Sequence, residues 1–121
     1  MSTLATVAIT EREGVVIARV RGEIDMSNAE ALERKMGEAV PNTAVGMVVD
    51  LSDVTYLDSA GIRLVIALGQ RLRLRRQRVA LVVTAQGPIR RVLELTDIAR
   101  LVPVSPGVDE AVSRVAGDRE L

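Results

Sequence analysis

The chain has 121 residues, enough for one domain with a real core, and its hydrophobic content of 48% indicates a globular protein. Lysine plus arginine and aspartate plus glutamate each number 16, so the formal net charge is zero. No overall field therefore favours binding to a nucleic-acid backbone or to an acidic membrane. Tyr56 is the only aromatic residue, which argues against base stacking on single-stranded nucleic acid.

The sequence lacks two residue types on which much chemistry depends. The absence of cysteine removes disulfides, thiolate chemistry and cysteine-based metal sites, and the absence of histidine removes the usual general base. The N-terminus lacks a basic segment followed by an apolar one, and no apolar run reaches the roughly 18 residues of a membrane span. We therefore expect no signal peptide, no membrane span and a cytoplasmic location.

The N-terminal half predicts a hairpin followed by a helix. Val7 and Ile9 alternate with small or polar residues, as in a half-buried strand, and a short polar turn at residues 11–14 leads to a second strand at residues 15–20. Ser27 and Glu30 have the spacing of a capping box, which predicts a helix with Ser27 as its N-cap. The apolar stripe of this helix comprises Ala29, Leu32, Met36 and Val40.

The C-terminal half predicts three further strand–helix units. Strands are expected at residues 45–51, 79–84 and 101–104. Helices are expected after Ser59 to about residue 76, from Pro88 onward, and after residues 105–106, where a serine cap precedes a proline. On the long helix, Leu64 and Leu68 form a second apolar line beside an inward stripe of Ile62, Val65, Ile66, Gly69 and Leu72. Residues 117–121 are expected to be a frayed end.

The predicted order is β-β-α-β-α-β-α-β-α, which indicates a single α/β domain. Strands separated by helices normally pair in parallel through right-handed crossovers, whereas the first two strands should form an antiparallel hairpin. We therefore expect a mixed β-sheet with about four packed helices, spanning residues 1–121 with a core at roughly residues 4–116.

Residues 50–63 contain the most informative segment, Asp58-Ser59-Ala60-Gly61, at the crossing from a strand to a helix. A phosphate on Ser59 would be well held there, because free backbone N–H groups and the positive end of the helix dipole point outward from a helix N-terminus. The simpler interpretations are that Ser59 is an N-cap, that Asp25 and Asp58 are turn or cap residues, and that Gly61 permits close packing.

The sequence argues against catalysis by this chain. A serine hydrolase triad lacks its histidine, and a Ser–Lys pair would need Lys35, the only lysine, which nothing brings near Ser59. Neither a GxxxxGK[ST] loop nor a GxGxxG turn is present to cradle a nucleotide. A phosphoaspartate receiver domain would need an acidic pair after its first strand and a lysine near its last, and both are missing. We therefore predict that the chain is not an enzyme.

Three segments resemble the bacterial anti-sigma factor antagonists of the STAS family. They are residues 22–25 before the first helix, residues 48–61, which include Asp58-Ser59-Ala60-Gly61, and residues 92–104. The resemblance covers roughly residues 4–116, and the Asp-Ser-Ala-Gly segment is its most specific part.

The resemblance implies a partner-switching function. In this family the serine that matches Ser59 is phosphorylated by an anti-sigma factor that is also an ATP-dependent serine kinase, and a phosphatase resets it. The unphosphorylated antagonist binds the kinase and frees the sigma factor, so ATP and Mg²⁺ belong to the kinase and the chain itself needs no cofactor. The predicted contributors to the kinase-docking surface are Glu23, Asp25, Ser27, Asp58, Ala60 and Gly61.

Two alternatives remain. The chain could be a scaffold or accessory STAS protein, such as a signalling-complex component or the soluble subunit of a transporter, with Ser59 serving structure. The second concerns a run of arginines at the end of the long helix, which we interpret as a solvated end favourable to the helix dipole, although an acidic partner could use it. The run comprises Arg71, Arg73, Arg75, Arg76 and Arg78.

Overall fold

The first two strands form the predicted hairpin in a computed structural model that describes residues 4–117. β1 (Ala5–Arg12) pairs antiparallel with β2 (Val15–Ile24) through a turn in which Glu13 and Gly14 both have positive φ. The two strands are longer than the sequence indicated, because their polar ends also pair with neighbouring strands.

The remaining strands join β2 in parallel. β2 pairs with β3 (Gly46–Leu57), β3 with β4 (Arg78–Val82), and β4 with β5 (Val104–Ser105), so the sheet has the order β1-β2-β3-β4-β5. The expected mixed sheet with an N-terminal antiparallel hairpin is therefore confirmed. The strand expected at 45–51 continues to residue 57, because residues 53–57 still pair with β2. The strand expected at 101–104 is shorter and later, and a short 3-10 helix at Ile98–Arg100 precedes it.

Within residues 4–117 four α-helices pack on the sheet, as predicted. They are α1 (Ala29–Glu38), α2 (Ser59–Leu74), α3 (Pro88–Leu95) and α4 (Val108–Ala116). The apolar stripe of α1 is buried as expected. On α2 the second apolar line, Leu64 and Leu68, is core and is more buried than Ile62 and Ile66. Within residues 4–117 no helix is long and apolar enough to cross a membrane.

Within the described residues two apolar clusters, one on each face of the sheet, hold the helices against the strands. α1, α2 and α3 cover one face of the sheet, where Val16, Ala18 and Val20 of β2 point, while Val15 of β2 points to the other face and contacts the cluster under α4. This division follows from the alternation of side chains along a strand. The smaller cluster consists of Val15, Val48, Ala80, Val82, Ala111, Val112 and Val115.

Two predicted helix starts are wrong. The N-cap of α1 is Asn28 rather than Ser27, because the Ser27 hydroxyl and N–H both bind the carboxylate of Asp25. Ser105 does not cap α4, because it is buried in β5 and pairs with Val82; α4 begins at Val108 after Gly107. Apart from Gly117, the predicted frayed end at residues 117–121 lies outside the described residues.

Leu68 and Leu74 offer a matched test of the core, because both lie on α2 but Leu68 is fully buried and Leu74 is 86% exposed. Leu68→Ala should lower the free energy of unfolding by about 2–5 kcal/mol, since it removes buried apolar contacts and leaves a cavity. Leu74→Ala should change it by no more than about 0.5 kcal/mol. Urea denaturation followed by circular dichroism measures both, and similar losses for the two variants would contradict the packing described.

Candidate functional site

The candidate site lies where β2 and β3 end side by side. The parallel register places Glu23 opposite Tyr56 and Ile24 opposite Leu57, and the Asp58 N–H donates to the Ile24 carbonyl at 3.4 Å. Because the carboxyl ends of neighbouring parallel strands meet at one edge of a sheet, residues 23–27 and 58–61 come together although they are distant in sequence.

Asp58, and not Ser59, caps the N-terminus of α2. The Asp58 carboxylate accepts a hydrogen bond from the Ala60 N–H at 2.9 Å, and its carbonyl accepts from the Ile62 N–H at 3.1 Å. Ser59 is the first helical residue and is exposed, and within residues 4–117 its hydroxyl has no hydrogen-bond partner. The interpretation of Ser59 as an N-cap is therefore wrong, that of Asp58 as a cap is right, and the Ser59 hydroxyl is available for chemistry.

The first turn of α2 has the features of an anion site. The N–H groups at a helix start lack intrahelical acceptors, and Asp58 takes up only that of Ala60. The N–H groups of Ser59 and Gly61 therefore remain beside the Ser59 side chain, together with the positive end of the helix dipole. A negatively charged group on Ser59 would find two donors without any change in the backbone.

Gly61 and Ala60 lie beneath this turn and are buried. A Cβ on Gly61 would lie 2.7 Å from Leu57 Cγ and 3.3 Å from Ile24 Cγ2, so only glycine lets α2 approach the ends of β2 and β3 this closely. The interpretation of Gly61 as a close-packing residue is right. The contribution of Ala60 and Gly61 to a docking surface stays a prediction, since what the structure shows is close packing at Gly61 and a buried Ala60 whose N–H binds Asp58.

The loop after β2 is tied together by side-chain hydrogen bonds. Asp25 Oδ1 accepts from the Ser27 hydroxyl at 2.6 Å and from the Ser27 N–H at 2.9 Å. Asn28 Oδ1 accepts from the Asp25 N–H at 3.0 Å, and its amide nitrogen donates to the Glu23 carbonyl at 2.9 Å. The Ser27 hydroxyl, with the Ser27 N–H next in importance, lowers the pKa of Asp25 below its ordinary value. Asp25 is therefore ionised at neutral pH.

Sequence reasoning missed Asn28, which links the two ends of this loop. The signal was present, because asparagine directly before an apolar helical stripe is a preferred cap and turn residue.

Sequence reasoning also missed two exposed apolar side chains beside the site: Met26 is 82% exposed and Tyr56 is 49% exposed. We call Glu23, Asp25, Met26, Tyr56 and Ser59 the strand-end surface. Exposed methionine and tyrosine within a polar rim are typical of protein-binding surfaces.

The charge of the site is mainly negative. Glu23, Asp25 and Asp58 contribute three carboxylates, and Arg63, one turn after Ser59 on α2, contributes an exposed cation. The described part of the chain contains no cluster of three His, Cys, Asp or Glu side chains that could hold a metal ion. The site is thus an exposed hydroxyl in an acidic, partly apolar surface, which suits it to receive a group and to contact another protein.

Known proteins share this architecture over almost the whole chain. The family model of the STAS domain matches residues 6–111. The chain is 31% identical over 115 residues to the anti-sigma-F factor antagonist RsfB of Mycobacterium tuberculosis, and the match covers 94% of this chain and 92% of RsfB. An anti-sigma factor antagonist from Mycobacterium paratuberculosis is similar in structure, with 33% identity, a TM-score of 0.81, and coverage of 92% of this chain and 93% of that one.

The unphosphorylated form of the anti-sigma factor antagonist SpoIIAA shares the fold at 20% identity, with a TM-score of 0.74 and coverage of 93% of this chain and 97% of that one. The chain therefore belongs to the STAS domain family, among its anti-sigma factor antagonists. The resemblance seen in residues 22–25, 48–61 and 92–104 is confirmed. The named relatives are regulatory proteins.

The cap assignment predicts that two neighbouring alanine variants differ in their effect on stability. Asp58→Ala should lower the free energy of unfolding by about 1 kcal/mol, because it removes the side-chain bond to the Ala60 N–H. Ser59→Ala should change it by no more than about 0.5 kcal/mol, because the hydroxyl makes no bond within the described residues. Chemical denaturation measures both, and a larger loss for Ser59→Ala would contradict the assignment.

The hydrogen bonds of Ser27 predict a pH effect. Ser27→Ala removes the hydroxyl bond, so the pKa of Asp25 should rise toward its ordinary value in an NMR titration of the carboxyl carbons. Because the pKa is lowered in the folded state, the bond stabilises the fold above the ordinary carboxyl pKa, and the effect is lost as the pH falls through the lowered one. Ser27→Ala should therefore lower the free energy of unfolding at neutral pH but not in strong acid. An unchanged pKa of Asp25 would contradict this explanation.

Proposed function

We propose that the chain is a phosphorylatable anti-sigma factor antagonist. Its unphosphorylated form binds an anti-sigma factor that is also a serine kinase and so releases the sigma factor, and phosphorylation of Ser59 ends that binding. The observation that carries the proposal is the placement of Ser59, exposed and without a hydrogen bond from its hydroxyl within the described residues, at the first position of a helix that Asp58 already caps. The relatedness to RsfB supports the same function.

The switch works by local charge. A phosphate on Ser59 adds about −1.5 to −2 charges at pH 7. Glu23, Asp25 and Asp58 already make the surroundings negative, so the phosphate strengthens an acidic surface rather than creating one. The N–H groups of Ser59 and Gly61 hold the phosphate in place, and the fold does not change. Loss of a few kcal/mol of partner contact by repulsion and desolvation is enough to switch binding.

The docking surface divides into two kinds of residue. Glu23, Asp25 and Asp58 supply charge at the ends of β2 and β3, and Ser27 fixes the orientation and ionisation of Asp25. Gly61 allows the close approach of α2, and the Ala60 N–H binds the Asp58 cap, so both lie behind the exposed Ser59. Met26 and Tyr56 extend the predicted set, because their exposed apolar side chains offer area that a partner would bury.

The partner supplies the chemistry in this proposal. The chain has no histidine to act as a general base beside Ser59, and its only lysine, Lys35, lies on α1. ATP and Mg²⁺ therefore belong to the kinase, a phosphatase resets Ser59, and this chain acts in the cytoplasm as a substrate and binding protein rather than as an enzyme.

Substitutions at Ser59 test the switch. Ser59→Asp should weaken binding to the cognate kinase at least tenfold, about 1.4 kcal/mol, because it places a charge where the phosphate would be. Ser59→Ala should keep binding, and it should abolish phosphate incorporation as read by mass spectrometry. Ser113→Asp on α4 is the matched control, since it adds the same charge at an exposed position on the opposite face of the sheet.

Equal binding of the kinase by Ser59→Asp and Ser59→Ala, measured by isothermal titration calorimetry, would contradict the switch. No phosphate incorporation at Ser59 from any kinase encoded nearby, together with a stable complex of several subunits, would favour a scaffold or accessory STAS protein instead.

A further inference from the structure

The arginine run at the end of α2 separates into two groups. Arg75 Nη2 donates to the Val40 carbonyl and to Asn42 Oδ1, both at 2.8 Å, and so ties the end of α2 to the segment after α1. The guanidinium of Arg71 packs against Gly37 of α1. These two arginines have structural roles. Arg73, Arg76 and Arg78 instead line a pocket on the side of β4 and α4, together with Arg114.

The pocket has an apolar floor and a basic rim. It has a volume of about 350 Å³, within the range of small-molecule sites. It exists because β5 pairs only with Leu81 and Val82, which leaves the edge of β4 at residues 78–80 without a neighbouring strand. Its apolar lining comprises Val79, Ala80, Leu101, Val102, Pro103 and Val115, and within residues 4–117 none of the lining residues is acidic.

Two arginines of the rim carry charges that no ion pair offsets within residues 4–117. Among the described residues neither Arg73 nor Arg76 takes part in an ion pair. Within the described residues Arg114 pairs with Glu110, at 3.9 Å and with both side chains about half exposed, a geometry that contributes little. A basic rim around an apolar floor is complementary to a molecule that has an anionic head and an apolar body.

Arg76 has a backbone conformation that disfavours it. It follows the end of α2 with φ of 60°, in the left-handed region where glycine is normally preferred. A side chain there strains the backbone, and such strain is concentrated at functional positions. Because Arg76 is exposed and has no ion pair within the described residues, the fold itself gives no reason for an arginine at this place.

We propose that this pocket binds a small amphipathic anion, a carboxylate or a phosphomonoester with an apolar body, and that Arg73 and Arg76 hold its charged head. The site is distinct from Ser59, because Arg73 lies about 21 Å from Ser59 along α2 at 1.5 Å per residue, and Arg76 lies beyond the end of the helix. The ligand and a protein docked at the strand-end surface can therefore be bound together, and the inference does not depend on phosphorylation of Ser59.

NMR titration of the ¹⁵N-labelled chain at pH 7 tests the inference with octanoate, octyl phosphate, inorganic phosphate and a polyglutamate peptide. Octanoate or octyl phosphate should shift the amide signals of Gly69, Val79 and Val102, and should bind at least tenfold more tightly than inorganic phosphate. Comparison of the affinities of octanoate and octyl phosphate shows whether the pocket prefers a carboxylate or a phosphate head group. The proposal would be overturned if only the peptide bound, or if inorganic phosphate bound as tightly as octanoate and octyl phosphate. It would also be overturned if the amide shifts occurred mainly at arginines outside the pocket.

Arg76→Gly separates binding from folding. It should weaken binding of the preferred octyl compound at least tenfold without lowering the midpoint of thermal unfolding, because glycine relieves the positive φ. Arg76→Lys should bind more tightly than Arg76→Gly because it keeps the charge. Arg34→Ala on α1 controls for net charge and should bind as the unmodified chain does. Unchanged affinity in Arg76→Gly, or equal loss in Arg34→Ala, would overturn the proposal.

Discussion

The parallel ladder between β2 and β3 is the constraint on which the candidate site depends. It runs from Val15 opposite Gly46 to Ile24 opposite Leu57, with an irregularity in register between Gly22 and Glu23. Gly22 has φ of 106°, and a Cβ there would meet the Leu4 carbonyl, so only glycine fits this bulge. Beyond it, Glu23 and Ile24 lie level with the end of β3, and the acidic loop after β2 therefore reaches the start of α2.

At that junction the two neighbouring residues have separate tasks. Asp58 provides the side-chain cap of α2, so Ser59 would have no cap bond to lose if its hydroxyl were phosphorylated. Gly61 lets α2 pack closely against Leu57 and Ile24, and this contact does not involve the Ser59 hydroxyl. Phosphorylation of an exposed hydroxyl at the N-terminus of such a helix would change the charge of the surface without changing its shape. The proposed function needs no more than this.

The sequence predicted what depends on local pattern and missed what depends on competing partners. The apolar stripe of α1 and the buried parallel strands follow from periodicity. The spacing of Ser27 to Glu30 predicts a cap, but the Ser27 hydroxyl donates to the Asp25 carboxylate instead. Residues 52–57 have a mixed polar pattern, and they extend β3 because the neighbouring strand is there to pair with. The basic pocket could not be predicted, since its lining comes from α2, β4, the segment before β5, and α4.

In the proposed switch, phosphorylation of Ser59 changes a local charge and leaves the fold as it is. The most direct measurement compares amide chemical shifts of the unmodified chain with those of a chain carrying phosphoserine, introduced genetically at position 59. We expect large shifts only in residues 23–28 and 56–63, where the phosphate, the helix start and the acidic loop would lie together. Large shifts throughout β4, β5 and α4 would show that the domain rearranges, and would contradict a switch that acts only through local charge.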